Sequence, residues 1–74
     1  MRYKFILDGC SINDIDEGGS YDYYGYTHAD GSWVIMRADS TGAEYRYAVG
    51  KNNYSTNWTN RATRSYKKAY EWGY

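Results

Sequence analysis

Three runs rich in aromatic and β-branched side chains, separated by turn residues, occupy residues 21–49 and restrict what this chain can fold into. Such runs, ended by Gly, Asp, Asn or Ser, are the sequence form of strands joined by hairpins. The first is Tyr21-Asp22-Tyr23-Tyr24-Gly25-Tyr26. Asp30-Gly31 follows it, a dipeptide that accepts the positive φ of a hairpin turn. Trp33-Val34-Ile35-Met36 is apolar without a break, as suits a middle strand covered on both faces. Ser40-Thr41-Gly42 predicts the next turn, and the run beginning at Glu44 alternates again. Tyr45, Tyr47 and Val49 share one face of it; Glu44, Arg46 and Ala48 share the other.

The flanks speak less clearly. Tyr3, Phe5 and Leu7 predict a short first strand over residues 3–7, ended by Asp8-Gly9. Residues 11–20, SINDIDEGGS, read as a flexible acidic connection in which Ile12 and Ile15 pin a turn to the body. After the meander, Ser55 or Thr56 can cap one or two helical turns that carry Trp58, Arg61 and Ala62 on one face. Residues 62–72 fit both periods: Ala62, Tyr66 and Tyr70 have helical spacing, whereas Tyr66, Lys68 and Tyr70 alternate, and a strand that helps to close the meander is favoured. The expected fold is a single small domain over residues 1–74, mainly β. It is an antiparallel meander closed into a compact sheet or barrel, with one short helix near residues 55–61.

A chain of 74 residues buries only roughly 60% of its unfolded surface, so its stability margin is thin. Seven aliphatic residues (Ile6, Leu7, Ile12, Ile15, Val34, Ile35 and Val49) stand beside eleven Tyr, three Trp and one Phe. Tyrosine must therefore carry much of the packing, with many rings half in and half out because a buried hydroxyl needs a partner. The net charge is zero, which gives no general pull toward nucleic acid or anionic membrane. The distribution is uneven: residues 1–32 hold two basic and six acidic side chains, net −4, and residues 33–74 hold seven basic and three acidic, net +4. Intramolecular neutralisation and a head-to-tail contact between copies both fit that division. One cysteine, Cys10, permits no internal disulfide, and no segment reaches the roughly 20 apolar residues of a membrane-spanning helix.

No constellation in the sequence carries catalytic chemistry. A calcium loop started at Asp14 places Gly19 correctly but puts Gly25 where the closing glutamate belongs. His28 lies in a hairpin loop without a second histidine, and Cys10 has no evident base, so neither predicts a metal or a nucleophile. Asn53-Tyr54-Ser55 and Asn57-Trp58-Thr59 are formal glycosylation acceptors that matter only in a secretory pathway. The aromatic set interleaved with arginine is what remains. Its candidate interaction residues are Tyr23, Tyr24, Tyr26, Trp33, Arg37, Tyr45, Arg46, Tyr47, Trp58 and Arg61. Core plus protein interface is the favoured reading. A carbohydrate-binding module with an exposed Tyr/Trp platform is the alternative, and base stacking comes third because charge and motif are lacking.

The segments YYGYTHADGSWVIMRAD, EYRYAVG and YSTNWTNRA, in that order over about residues 21–62, resemble a family of small proteins encoded among the structural genes of tailed bacteriophages. That family pattern has a Tyr-rich strand, a Gly-Trp-x-Ile-Met-Arg strand, a Tyr-Arg-Tyr-Ala strand and a Trp-x-x-Arg segment. Here they correspond to residues 23–26, 32–37, 45–48 and 58–61, with Ser32 in the glycine position. The resemblance implies a non-enzymatic component of a virion, of its tail or attachment apparatus, made in the host cytoplasm. Its expected partners are other virion proteins and copies of itself; glycan is the alternative ligand, and no cofactor, metal, nucleic acid or membrane is expected.

Overall fold

The computed structural model describes residues 5–39, 41 and 44–74. Four antiparallel strands lie side by side in chain order: β1 (Ser11–Asp16), β2 (Tyr21–Thr27), β3 (Trp33–Asp39) and β4 (Tyr45–Gly50). A short helix α1 (Tyr54–Thr59) and two 3₁₀ turns, Arg61–Thr63 and Ala69–Trp72, complete the chain. The meander expected over residues 21–49 is present with Trp33 opening its middle strand. The sheet is an open one, with β1 and β4 as its margins, so of the two expected forms it is the compact sheet.

The β2–β3 turn follows from Asp30-Gly31. Gly31 has φ +93°, and its N–H donates to the His28 carbonyl at 3.1 Å, while Asp30 Oδ1 accepts from the Ser32 N–H at 2.9 Å. Of the second expected turn, Ser40 and Gly42 lie outside the described residues.

Three expectations need correction. Phe5 is 81% exposed and Ile6 to Gly9 form turns held by Asp8 N–H to Phe5 O and Cys10 N–H to Leu7 O, so residues 5–7 are no strand; Tyr3 and Lys4 lie outside the described residues. The supposed acidic connection instead contains β1. Its pairing with β2 shifts between Ile12 and Asp14, a bulge at Asn13 that leaves Ile12 opposite Tyr26 and Ile15 opposite Tyr24. Finally, residues 62–72 contribute neither a strand nor an α-helix. Arg61–Thr63 and Ala69–Trp72 are 3₁₀ turns, and between them only Lys67 bridges to Tyr47, exchanging both backbone hydrogen bonds at 2.7 and 2.9 Å.

The short helix lies where it was expected, but Asn53, not Ser55 or Thr56, takes the N-cap position, in the left-handed conformation at φ 60°. Asparagine tolerates that region better than most side chains. Its carbonyl accepts from the Asn57 backbone N–H at 3.1 Å and from Asn57 Nδ2 at 2.8 Å. Six residues are too few for a helix to persist alone, so packing must hold it. That packing is against the sheet. Trp33, Ile35 and Ala48 are the buried cluster, with Tyr23, Tyr54, Trp58 and Tyr66 partly buried around them. Ile35 is wholly inaccessible, and burying such a side chain contributes about 1.5–3 kcal/mol.

Candidate protein-contact surface

The register divides the sheet into two faces. Gly25 pairs with Ile35 and Ile35 with Ala48, so these three share a face. A Cβ at Gly25 would run into the Tyr54 hydroxyl and the Trp58 ring, which identifies this as the face beneath α1. Glycine in β2 is thus the condition for helix and sheet to approach this closely. Gly50 plays the same part for the Trp33 indole, whose Nε1 donates to the Asn52 carbonyl at 2.6 Å.

Across this helix face runs a ladder of rings and guanidinium groups. The Arg37 guanidinium lies between the Tyr21 and Tyr66 rings, 4.4 and 4.5 Å from their centroids. Arg61 lies 4.4 Å over Trp58 and 5.6 Å from Tyr23, donates to Asp16 Oδ2 from Nε (3.1 Å) and Nη2 (2.8 Å), and donates from Nη1 to the Trp58 carbonyl at 2.8 Å. Tyr54 Oη donates to Asp14 at 2.7 Å, and Tyr66 Oη to the Arg61 carbonyl at 2.8 Å. These contacts strap the C-terminal third onto β1 and β2. Burial, then the hydrogen bond to Asp14, raises the Tyr54 phenol; burial raises that of Tyr66.

The opposite face is graded. Val34 and Ala38 are buried at its centre and Met36 is half-buried. Tyr24, Tyr26, Tyr47 and Val49 are half-buried around them. At its margins Ile12, Ile15 and Tyr45 are 51%, 60% and 54% exposed. Among the described residues the β1 margin is also an unpaired strand edge, whereas the β4 margin is covered at Tyr47 by Lys67 and by the Trp72 Nε1, which donates to the Tyr47 carbonyl at 2.6 Å.

The ten residues singled out in the sequence therefore separate. Tyr23, Trp33, Arg37 and Arg46 stand on the helix face, with Trp58 and Arg61 in the segment laid over it. Tyr24, Tyr26, Tyr45 and Tyr47 stand on the opposite face. Ile12 and Ile15, the most exposed aliphatics of that face, were not among the candidates. Their three-residue spacing hides the strand, because only the bulge returns both to one side.

The fold also brings Cys10 and His28 together across 18 positions, with Sγ 3.2 Å from Nε2 and 3.6 Å from Nδ1. Nε2 lies 3.1 Å from the Asp8 carbonyl, which can only accept, so the tautomer that satisfies this contact offers the thiol no base at Nε2. Nδ1 meets Ser32 Oγ at 2.9 Å, and Ser32 Oγ donates to Asp30 at 2.7 Å. Burial and the Asp8 carboxylate push the Cys10 thiol up, away from the thiolate. The cluster ties residues 8–10 to the hairpin. Among the described residues no group of three metal-ligating side chains converges, and no helix is long and apolar enough to cross a membrane.

No family model matches this chain, and neither a curated protein nor a solved structure matches it.

Proposed function

We propose that this protein is a non-enzymatic structural or adaptor component of a phage virion that works through protein–protein contact, with copies of itself and other virion proteins as partners. The virion setting rests on the sequence resemblance. The contact reading rests on one observation: Ile12 and Ile15 are more than half exposed along a strand edge that no other described strand pairs with, on the face that also carries Tyr24, Tyr26, Tyr45 and Tyr47. An apolar margin beside free backbone donors and acceptors suits an added strand or a facing sheet. Exposed aliphatic side chains offer nothing to sugar hydroxyls, which favours protein over glycan as the occupant.

Sedimentation velocity over a wide concentration range tests the contact. The wild-type chain is expected to associate as concentration rises, and the double variant Ile12→Ser with Ile15→Ser to stay monomeric with an unchanged near-ultraviolet circular dichroism spectrum. A wild-type chain that stays monomeric throughout and takes up no other virion protein sinks the reading. The virion setting is tested separately, by mass spectrometry of purified particles of a phage that encodes the chain.

A further inference from the structure

Beyond the apolar margin, the helix face holds an arginine without a hydrogen-bonding partner among the described residues. Arg37 is half-buried and held between the Tyr21 and Tyr66 rings, yet no described carbonyl or carboxylate accepts from its five N–H groups. Arg46 stands directly opposite it in register on the same face. Two like charges so placed repel unless something negative lies between or beside them. Glu44 answers for Arg46, at 3.0 Å; Asp39 stands on the same face two residues from Arg37 but, among the described residues, makes no ion pair or hydrogen bond with it.

A notch of about 70 Å³ opens here, lined by Tyr21, Arg37, Asp39, Glu44 and Arg46. One water needs roughly 10–15 Å³ of such space, so the notch admits a group of a few heavy atoms and not a sugar ring. We propose that it is a carboxylate-binding site, in which the Arg37 fork takes the two oxygens of one carboxylate. Stacking fixes the plane of the guanidinium before the ligand arrives, so little side-chain freedom is lost on binding. The walls decide between anions. Asp39, which accepts from Thr41 Oγ1 at 2.8 Å, and Glu44 offset the two guanidinium charges, so the notch has no net charge to draw a phosphate dianion, whose desolvation costs more than a monoanion's. A carboxylate monoanion is therefore the preferred guest. It can come from a small acid, an acidic side chain or the end of another chain. The site lies on the face opposite Ile12 and Ile15 and does not depend on contact there.

The test is a nuclear magnetic resonance titration of the full chain with sodium acetate at constant ionic strength, chloride making up the balance, read at the Arg37 Nε–H. Acetate is expected to shift that signal saturably and chloride not to. Arg37→Lys keeps the charge but loses the fork, and is expected to weaken binding by about fivefold or more. Glu44→Gln removes one repelling wall and is expected to tighten binding about threefold; because it also frees Arg46, the gain is expected to persist when Arg46→Gln is added, which a merely structural Arg37 would not produce. If Arg37→Lys loses its fold, Glu44→Gln combined with Arg46→Gln decides: acetate is expected still to shift the Arg37 Nε–H saturably. Short peptides carrying one glutamate with an amidated end, or a free end without glutamate, separate the sources; saturable binding of either supports the site. Equal shifts by acetate and chloride, tighter binding of phosphate than of acetate, or an affinity that Glu44→Gln leaves unchanged overturns it.

Discussion

The Tyr24 hydroxyl donates to Glu17 at 2.5 Å, and that bond, ahead of burial, pushes its ionisation up to about 12. Tyr54 and Tyr66 are raised chiefly by burial, with Asp14 adding to the first. A phenolate cannot donate to a carboxylate or a carbonyl, so each loses its bond on ionising. The sign follows from linkage. A folded-state value raised above the unfolded one contributes stability that is intact below the unfolded value, near 10, and is lost as pH climbs toward the folded value. The midpoint of urea unfolding should therefore hold steady to about pH 9 and fall above about pH 10. Absorbance at 295 nm should show a later group of tyrosines that includes Tyr24, Tyr54 and Tyr66, delayed to about pH 12 and beyond or until unfolding. Tyr54→Phe should shrink the later group by one ring. Absence of that later group, with Tyr54→Phe leaving the curve above about pH 11 unchanged, would contradict the hydrogen-bonded arrangement.

Strands β2, β3 and β4 were legible because aromatic or apolar runs are bounded by turn residues such as Asp30-Gly31, with β3 unbroken in its apolar run and β4 alternating every second residue. β1 was not, because Asn13 breaks the alternation: Ile12 and Ile15 stand three apart, a spacing that suggests a turn or helix. The residues after Arg61 were ambiguous for another reason. A single backbone bridge at Lys67 and two 3₁₀ turns leave no period to read. The candidate site was partly legible. Arg37, Arg61 and the rings were visible as a class, but which ring stacks on which guanidinium depends on a chain crossing that spacing does not encode, and the Cys10–His28 contact even more so. The bulge gives the element its test. Deleting Asn13 should leave Ile12 opposite Tyr26 and Ile15 opposite Tyr24 in a regular ladder, losing only the 2.8 Å bond from Asn13 to Thr27 Oγ1. The expected cost is about 1 kcal/mol in urea unfolding, with both cross-strand proton contacts retained. Loss of the Ile15–Tyr24 contact would mean that the bulge does more than set the face.

The opposed charges of the two halves bear on the whole molecule. Of the two described ion pairs, Arg46–Glu44 joins neighbours and Arg61–Asp16, at 2.8 Å, joins the basic half to the acidic one. Part of the asymmetry is thus met within one chain. The remainder leaves two ways for copies to associate: through the Ile12, Ile15 and Tyr45 face, driven by apolar burial, or head to tail, driven by charge. Salt separates them. Raising the salt concentration from about 0.05 M to about 0.5 M shortens the screening length from roughly 13 to 4 Å, which weakens contacts between exposed charges and leaves apolar burial intact or strengthened. Association measured by sedimentation is expected to persist or increase across that range, and Ile12→Ser with Ile15→Ser to abolish it at both ends. Monomer stability should fall by only about 0.5 kcal/mol over the same interval, since the Arg61–Asp16 pair is partly solvated. Complexes that dissolve at high salt in the wild-type chain and survive the isoleucine substitutions would place the interface on the charged margins instead.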